Sequence, residues 1–214
     1  VFTILERRDD IAIINCAAYL AGHPAAGSFN APSASSWSCQ HGVERWRGDC
    51  GCRLNARTRQ GWRAPLREAM EFVKRHADSI YDKFAGQIVK DPFGALKQSM
   101  SLTDPLDIAR DAFFERHQVT DELRQERLLR LFEMQRAAHA ALTSCAWFFD
   151  DFGGPEGRIV LRYAARTVEM AAEFAPGVER ELLGRLREVR SNRREIGDAA
   201  RLYLSLKARE ARVV

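Results

Sequence analysis

Cys39, His41, Cys50 and Cys52 stand close together in the segment WSCQHGVERWRGDCGC, residues 37–52. Three sulfurs and one imidazole nitrogen form an acceptable ligand set for a structural zinc ion. The spacing is tight. Cys39-x-His41 and Cys50-x-Cys52 leave one residue between paired ligands, where zinc knuckles use two to four, and Gly42 and Gly51 would have to relax the backbone. The competing reading is a group of reduced cysteines packed beneath the loop, because free cysteine is among the most buried residue types. A Cys50–Cys52 redox pair has less in its favour, since no strand–helix unit places it at a helix N-terminus. Cys16 and Cys145 bring the total to five, and an odd number argues against a disulfide framework.

The same segment carries Trp37, His41, Glu44, Arg45, Trp46, Arg47 and Asp49. Aromatic faces stack on the apolar side of a pyranose, while carboxylates and the planar arginine fork bond its hydroxyls. A loop pinned by two tryptophans around an internal Arg–Asp pair would have the same composition. A second polar set lies in TSCAWFFDDFGG. There the three-and-four rule puts Glu133, Arg136, Ala140, Ser144, Trp147 and Asp151 on one face of a long helix. Asp150 and Asp151 at its C-terminus would oppose the macrodipole at about 0.3–1 kcal/mol each. Such a locally unfavourable choice hints at function, and equally fits two solvated acids at a frayed end. The chain has no Ser-His-Asp order, phosphate-binding glycine loop or HExxH motif.

The elements that must position these residues read as helices. Leu66, Met70, Val73, Ala77, Ile80 and Phe84 recur at alternating spacings of four and three after Pro65, the seam of a packed helix that should end before Asp91-Pro92. Asp9 and Asp10 can open a helix bearing Ile11, Ile14 and Ala18. Thr120 is expected to cap the longest helix, running through Phe149, with Gly153-Gly154 breaking it and Pro155 starting the next. Shorter helices are expected from Pro105 to about Arg116, Val178 to Val189 and Ile196 to Arg209. No segment alternates as a strand does. The expectation is an all-α bundle of six to eight helices in a single domain, 1–214, with an irregular Cys/His/Trp-rich loop over 24–61 and the bundle over 62–210.

The charge pattern narrows the partners. Arginines mix with glutamates along the helices, as in ERLLRLFEMQR, which suits solvated faces. The basic concentrations are Arg53-Arg57-Arg59-Arg63 and Arg190-Arg193-Arg194, so nucleic acid is not an expected partner. Nothing approaches the roughly 18 consecutive apolar residues of a membrane span. With no signal-peptide layout in VFTILERRDDIAIINC, a cytoplasmic location is expected.

Taken in order, SWSCQHGVERWRGDCGC, GWRAPLREAM, LFEMQRAAHAALTSCAWFFDDFGG, VLRYAARTVEMA and SNRREIGDAARLY make the chain resemble one group from about Cys16 to Tyr203. It resembles the helical C-terminal domain, of unknown function, of uncharacterised bacterial proteins related to glycoside hydrolase family 57. The resemblance implies a division of labour. In family 57 enzymes a (β/α)₇ barrel holds the catalytic glutamate and aspartate for α-glucan chemistry, and a helical domain adds aromatic and polar residues to the cleft. This chain has no β-rich stretch to hold those carboxylates. It is therefore expected to be an accessory domain with no catalytic residue of its own, partnered by a glycan or by the barrel and self-associating through the surface a barrel would cover. Trp147 is similar to the tryptophan that family places near the sugar. Trp37, His41, Arg45, Trp46, Asp49, Asp150 and Asp151 complete the expected substrate wall. A structural or interaction module stapled by zinc or buried thiols is the other expectation.

Overall fold

The computed structural model describes residues 8, 10–24, 26–30, 32–33, 35–36, 38–99, 102 and 107–210. The chain divides into two compact units, Val1–Ala34 and Ser35–Val214. In the first, α1 spans Cys16–Gly22, and the Asn15 side chain accepts from Ala18 N at 2.8 Å. That cap starts the helix after Ile11 and Ile14, which are exposed, rather than at Asp10, while Asp9 lies outside the described residues.

Among the described residues the second unit holds eight α-helices: α2 Arg63–Ala85, α3 Pro92–Gln98, α4 Asp107–Arg116, α5 Glu122–Ala140, α6 Cys145–Phe148, α7 Pro155–Ala171, α8 Val178–Leu186 and α9 Ala199–Glu210. No strand occurs among the described residues. The all-α bundle expected from periodicity is what forms. Helix α2 buries Leu66, Met70, Val73, Ala77 and Ile80, the spaced face read from sequence. Asp91 caps α3 by accepting from Gly94 N at 2.9 Å, and Pro92 at the first position costs no hydrogen bond. Asp121, one residue beyond Thr120, caps α5 by accepting from Arg124 N.

The long helix expected through Phe149 stops at Ala140. There Thr143 Oγ1 donates to Ala140 O at 2.9 Å and Leu142 N to His139 O at 3.0 Å, tightening the last turn and ending it. The chain restarts as the short α6. That change of direction removes the shared polar face expected for Glu133, Ser144, Trp147 and Asp151, and carries Trp147 into the interior.

Helix α2 belongs to two hydrophobic clusters. One gathers Trp62, Leu66, Met70, Trp147, Phe152, Leu161, Leu182 and Tyr203. The other gathers Ala77, Tyr81, Phe113, Phe132 and Met134. Gly157 lets α7 approach the preceding chain, since a methyl there would lie 1.8 Å from Phe152 O. Between α8 and α9 an isolated bridge pairs Arg190 with Asp198. With Ser191 N donating to Gly197 O at 2.9 Å, and Gly197 at φ +74°, it shapes the turn that presents Asn192. Among the described residues no helix is long and apolar enough to cross a membrane.

Candidate metal centre and the loop that carries it

The loop folds its sulfurs inward because the backbone turns at both glycines: Gly42 lies at φ +68° and Gly51 at φ +79°. Asp49 Oδ1 accepts from Gly51 N at 2.9 Å and holds the second turn. One ligand atom from each of Cys39, His41, Cys50 and Cys52 then falls within 4.8 Å of every other, a group able to hold a metal ion. Cys39 Sγ stands 3.7 Å from Cys50 Sγ, 3.9 Å from Cys52 Sγ and 3.8 Å from His41 Nδ1, and Cys52 Sγ is 3.5 Å from His41 Nδ1. Cys39 is buried, Cys50 and Cys52 are half-buried, and His41 is exposed. Burial pushes the Cys39 thiol up, but hydrogen bonds from the His41 backbone and ring, from Cys50 and from the Arg45 backbone bring it down to about 7. The Cys52 thiol is raised, by burial first and then by its two neighbouring sulfurs.

Two buried guanidinium groups flank the cluster. Arg63 is fully buried, and its Nη1 donates to Cys52 O at 3.0 Å and to Cys50 Sγ at 3.8 Å. Its Nη2 donates to Phe149 O at 3.4 Å. Arg45 donates to Phe148 O at 3.2 Å, with its guanidinium 5.5 Å from the centre of the Phe148 ring. The Nε atoms of both find no partner among the described residues. Burial and the nearby Arg45 cation lower the Arg63 pKa, against an opposite pull from Cys50, Asp150 and Asp49. A buried cation of this kind needs a compensating anion close by.

Past Cys52 the chain is tied down by a carboxylate. Asp150 accepts from Leu54 N at 2.9 Å, Asn55 N at 2.6 Å and Thr58 Oγ1 at 3.2 Å. Burial raises the Asp150 carboxyl, but these bonds and the Arg63 charge bring it below the usual carboxylate range. Asp151 faces the other way and accepts from Ser191 Oγ at 2.9 Å, Asn192 N at 2.6 Å and Gly153 N at 2.7 Å. Asn192 joins the two systems: its side chain accepts from Arg59 N at 2.8 Å and donates to Arg59 O and Asp150 O, both at 3.0 Å.

The expected site residues therefore divide. The loop does pack on the end of the α5–α6 segment, where Trp46 Nε1 donates to Ser144 O at 3.2 Å. Trp147 offers no face to a ligand, being fully buried with its indole N–H donating to Arg63 O at 3.0 Å. Asp150 and Asp151 spend their lone pairs on backbone amides and hydroxyls. Arg47 pairs with Glu44 at 3.3 Å, so the internal Arg–Asp pair of the loop is replaced by an Arg–Glu one. Trp37 lies outside the described residues. Arg63 and Asn192 are the contributors that sequence reading missed. Arg63 stood among exposed arginines in a basic run, and its only signal is its place between Trp62 and Leu66, both of the core.

Beside these acids runs a groove of about 550 Å³, lined by Leu54, Thr58, Phe149, Glu156, Asn192 and Arg193 together with Asp150 and Asp151. Neither a curated protein nor a solved structure matches the chain. A family described as Domain of unknown function (DUF3536) matches residues 59–212, which takes in Arg63, Asp150, Asp151 and Asn192 and begins beyond Cys52. The match covers most of the sequence, and the chain belongs to the DUF3536 family.

Proposed function

We propose that this protein is a helical accessory module whose Cys39–Cys52 loop is locked by one zinc ion. The observation that carries this reading is the set of distances among the four ligand atoms. A tetrahedron with Zn–S of about 2.3 Å and Zn–N of about 2.0–2.1 Å has S···S edges of about 3.8 Å and S···N edges of about 3.6 Å. Four of the six edges lie at 3.7 and 3.9 Å between sulfurs and 3.5 and 3.8 Å from sulfur to imidazole, and the other two lie within 4.8 Å. Charge supports it as well. A dication with three thiolates and a neutral imidazole carries one net negative charge, placed beside buried Arg63, whose guanidinium makes no ion pair with a carboxylate among the described residues. With four protein ligands the site has no open position, so its role is structural rather than catalytic. Elemental analysis of protein purified under reducing conditions should give one zinc per chain, and cobalt substitution should give the intense absorption of tetrahedral thiolate ligation. Zinc below a tenth of an equivalent after exposure to excess metal, with freely reactive thiols, would overturn the reading.

A second reading follows from the groove. Its mixed lining, with Phe149 37% exposed beside Asn192 and Arg193, suits a wall of an α-glucan cleft completed by a catalytic partner. Titrating α-glucan oligosaccharides against tryptophan fluorescence tests it, and an unchanged signal and no calorimetric heat at millimolar sugar would refute it.

A further inference from the structure

We propose that metal at the Cys39–His41–Cys50–Cys52 centre controls whether residues 53–58 stand as a wall of the groove. This regulation rests on the zinc reading above. The wall has almost no apolar anchor: residues 53–57 are exposed, and Leu54 is 75% exposed. Bonds within the segment, such as Thr58 N to Asn55 O at 3.1 Å and Arg53 Nη1 to Thr58 O at 3.1 Å, give it shape but not position. Its position comes from its ends. At one end Cys52 is a metal ligand. At the other, Thr58 Oγ1 donates to Asp150 and Asn192 brackets Arg59, and Asp150 also takes the Leu54 and Asn55 amides in between.

Arg63 makes the two ends one device. A single guanidinium bonds a ligand sulfur at Cys50, the carbonyl of the ligand Cys52 and the carbonyl of Phe149, the residue that precedes Asp150. Metal that fixes Cys50 and Cys52 therefore fixes the guanidinium that holds Phe149, and with it the approach of Asp150 to the wall amides. Loss of the metal frees Cys52, and the wall keeps only the carboxylate end. Arg63 is thus a positioning residue that links the centre to the groove. Residues 63–85 carry their own buried face in α2, so the bundle does not depend on the loop.

The amides of Leu54 and Asn55 read the state directly. Hydrogen exchange of the full chain, zinc-loaded against chelator-stripped, should show residues 53–58 exchanging about tenfold faster or more without metal, within the range of ordinary site-to-site coupling. Protection in α2 and α7 should not change. Reciprocity adds a second expectation: Asp150→Asn, which weakens the wall end, should loosen zinc binding by a similar factor in competition with a chromophoric chelator. One zinc bound, with equal protection of Leu54 and Asn55 in both states, would overturn the coupling while leaving the zinc reading intact. Loss of α2 and α7 protection on stripping would also overturn it, because the metal would then hold the whole bundle. No zinc bound at all would sink the reading on which the coupling stands. Thr58→Val, a milder change at the same carboxylate, should shift zinc affinity in the same direction as Asp150→Asn, and no shift in either variant refutes the link.

Discussion

Replacing Arg63 by methionine separates a charged centre from a neutral one by the size of its effect. The side chain is fully buried, and its hydrogen bonds run to two carbonyls and a ligand sulfur, with no carboxylate within ion-pairing distance among the described residues. If the sulfurs are thiolates on a metal, the substitution removes the counterion of a buried negative charge. Breaking one side of such a pair costs about 3–5 kcal/mol. With a urea m-value of about 2 kcal/mol/M, the unfolding midpoint of the zinc-loaded variant should fall by about 2 M. In metal-free protein the cluster carries less negative charge, with the Cys39 thiol at about 7, so an apolar side chain of similar length at position 63 should cost far less and come out near neutral. Zinc affinity should also fall by about 10–100-fold, as for other groups that orient metal ligands. The assay is urea unfolding of wild type and Arg63→Met, each with zinc and with chelator, followed by far-UV circular dichroism. Equal destabilisation with and without metal would refute the charge argument and leave Arg63 as a packing residue alone.

Four other perturbations test the packing and the loop clamp. Gly157→Ala puts a methyl 1.8 Å from Phe152 O, so α7 must shift. A loss of about 3 kcal/mol, or about 6–12 °C in Tm, is expected by scanning calorimetry. Gly184→Ala, in α8 with nothing within 4 Å of the added carbon, should instead gain about 0.4–1 kcal/mol. Trp147→Ala should cost about 3–5 kcal/mol in the same measurement, and an unchanged Tm would show that the indole does not hold the core together. Asp150 is held below its usual pKa, so its stabilisation is present above about pH 4, its unfolded value, and is lost as pH falls through the folded value. Asp150→Asn should therefore be less stable than wild type at pH 7, with the gap closing below about pH 4 in acid unfolding curves. A gap that stays constant with pH would refute the carboxylate clamp.

Which parts of this could be read from sequence follows from how local each signal is. The α2 seam and the start of α7 at Pro155 were legible because periodicity and proline act within one or two turns. The end of α5 was not. ALTSCAW holds neither glycine nor proline, and a threonine hydroxyl returning to Ala140 O ends the helix. That one break moved Trp147 from an expected polar face to the interior. The acids of FFDDFGG did signal a special place, yet their partners are amides of distant loops, and no local rule pairs Asp150 with Leu54. The thiol cluster was legible as a ligand set, but the one-residue spacings argued against a shared centre until the positive φ of Gly42 and Gly51 accounted for them.

The bonds that make the loop and the bonds that dock it differ in sequence reach, and a chain is synthesised in order. Cys39, His41 and Cys52 meet across separations of 11 to 13 residues. Their docking partners arrive much later, with Arg45 to Phe148 spanning 103, Leu54 to Asp150 96 and Arg59 to Asn192 133. At a synthesis rate of about 5–20 residues per second, the thiols leave the ribosome on the order of 5–20 s before their dock exists. The short-range knot can close in that interval and the long-range one cannot. Metal capture on the nascent chain would shield three cysteines from oxidation while the bundle that finally covers them is still being made.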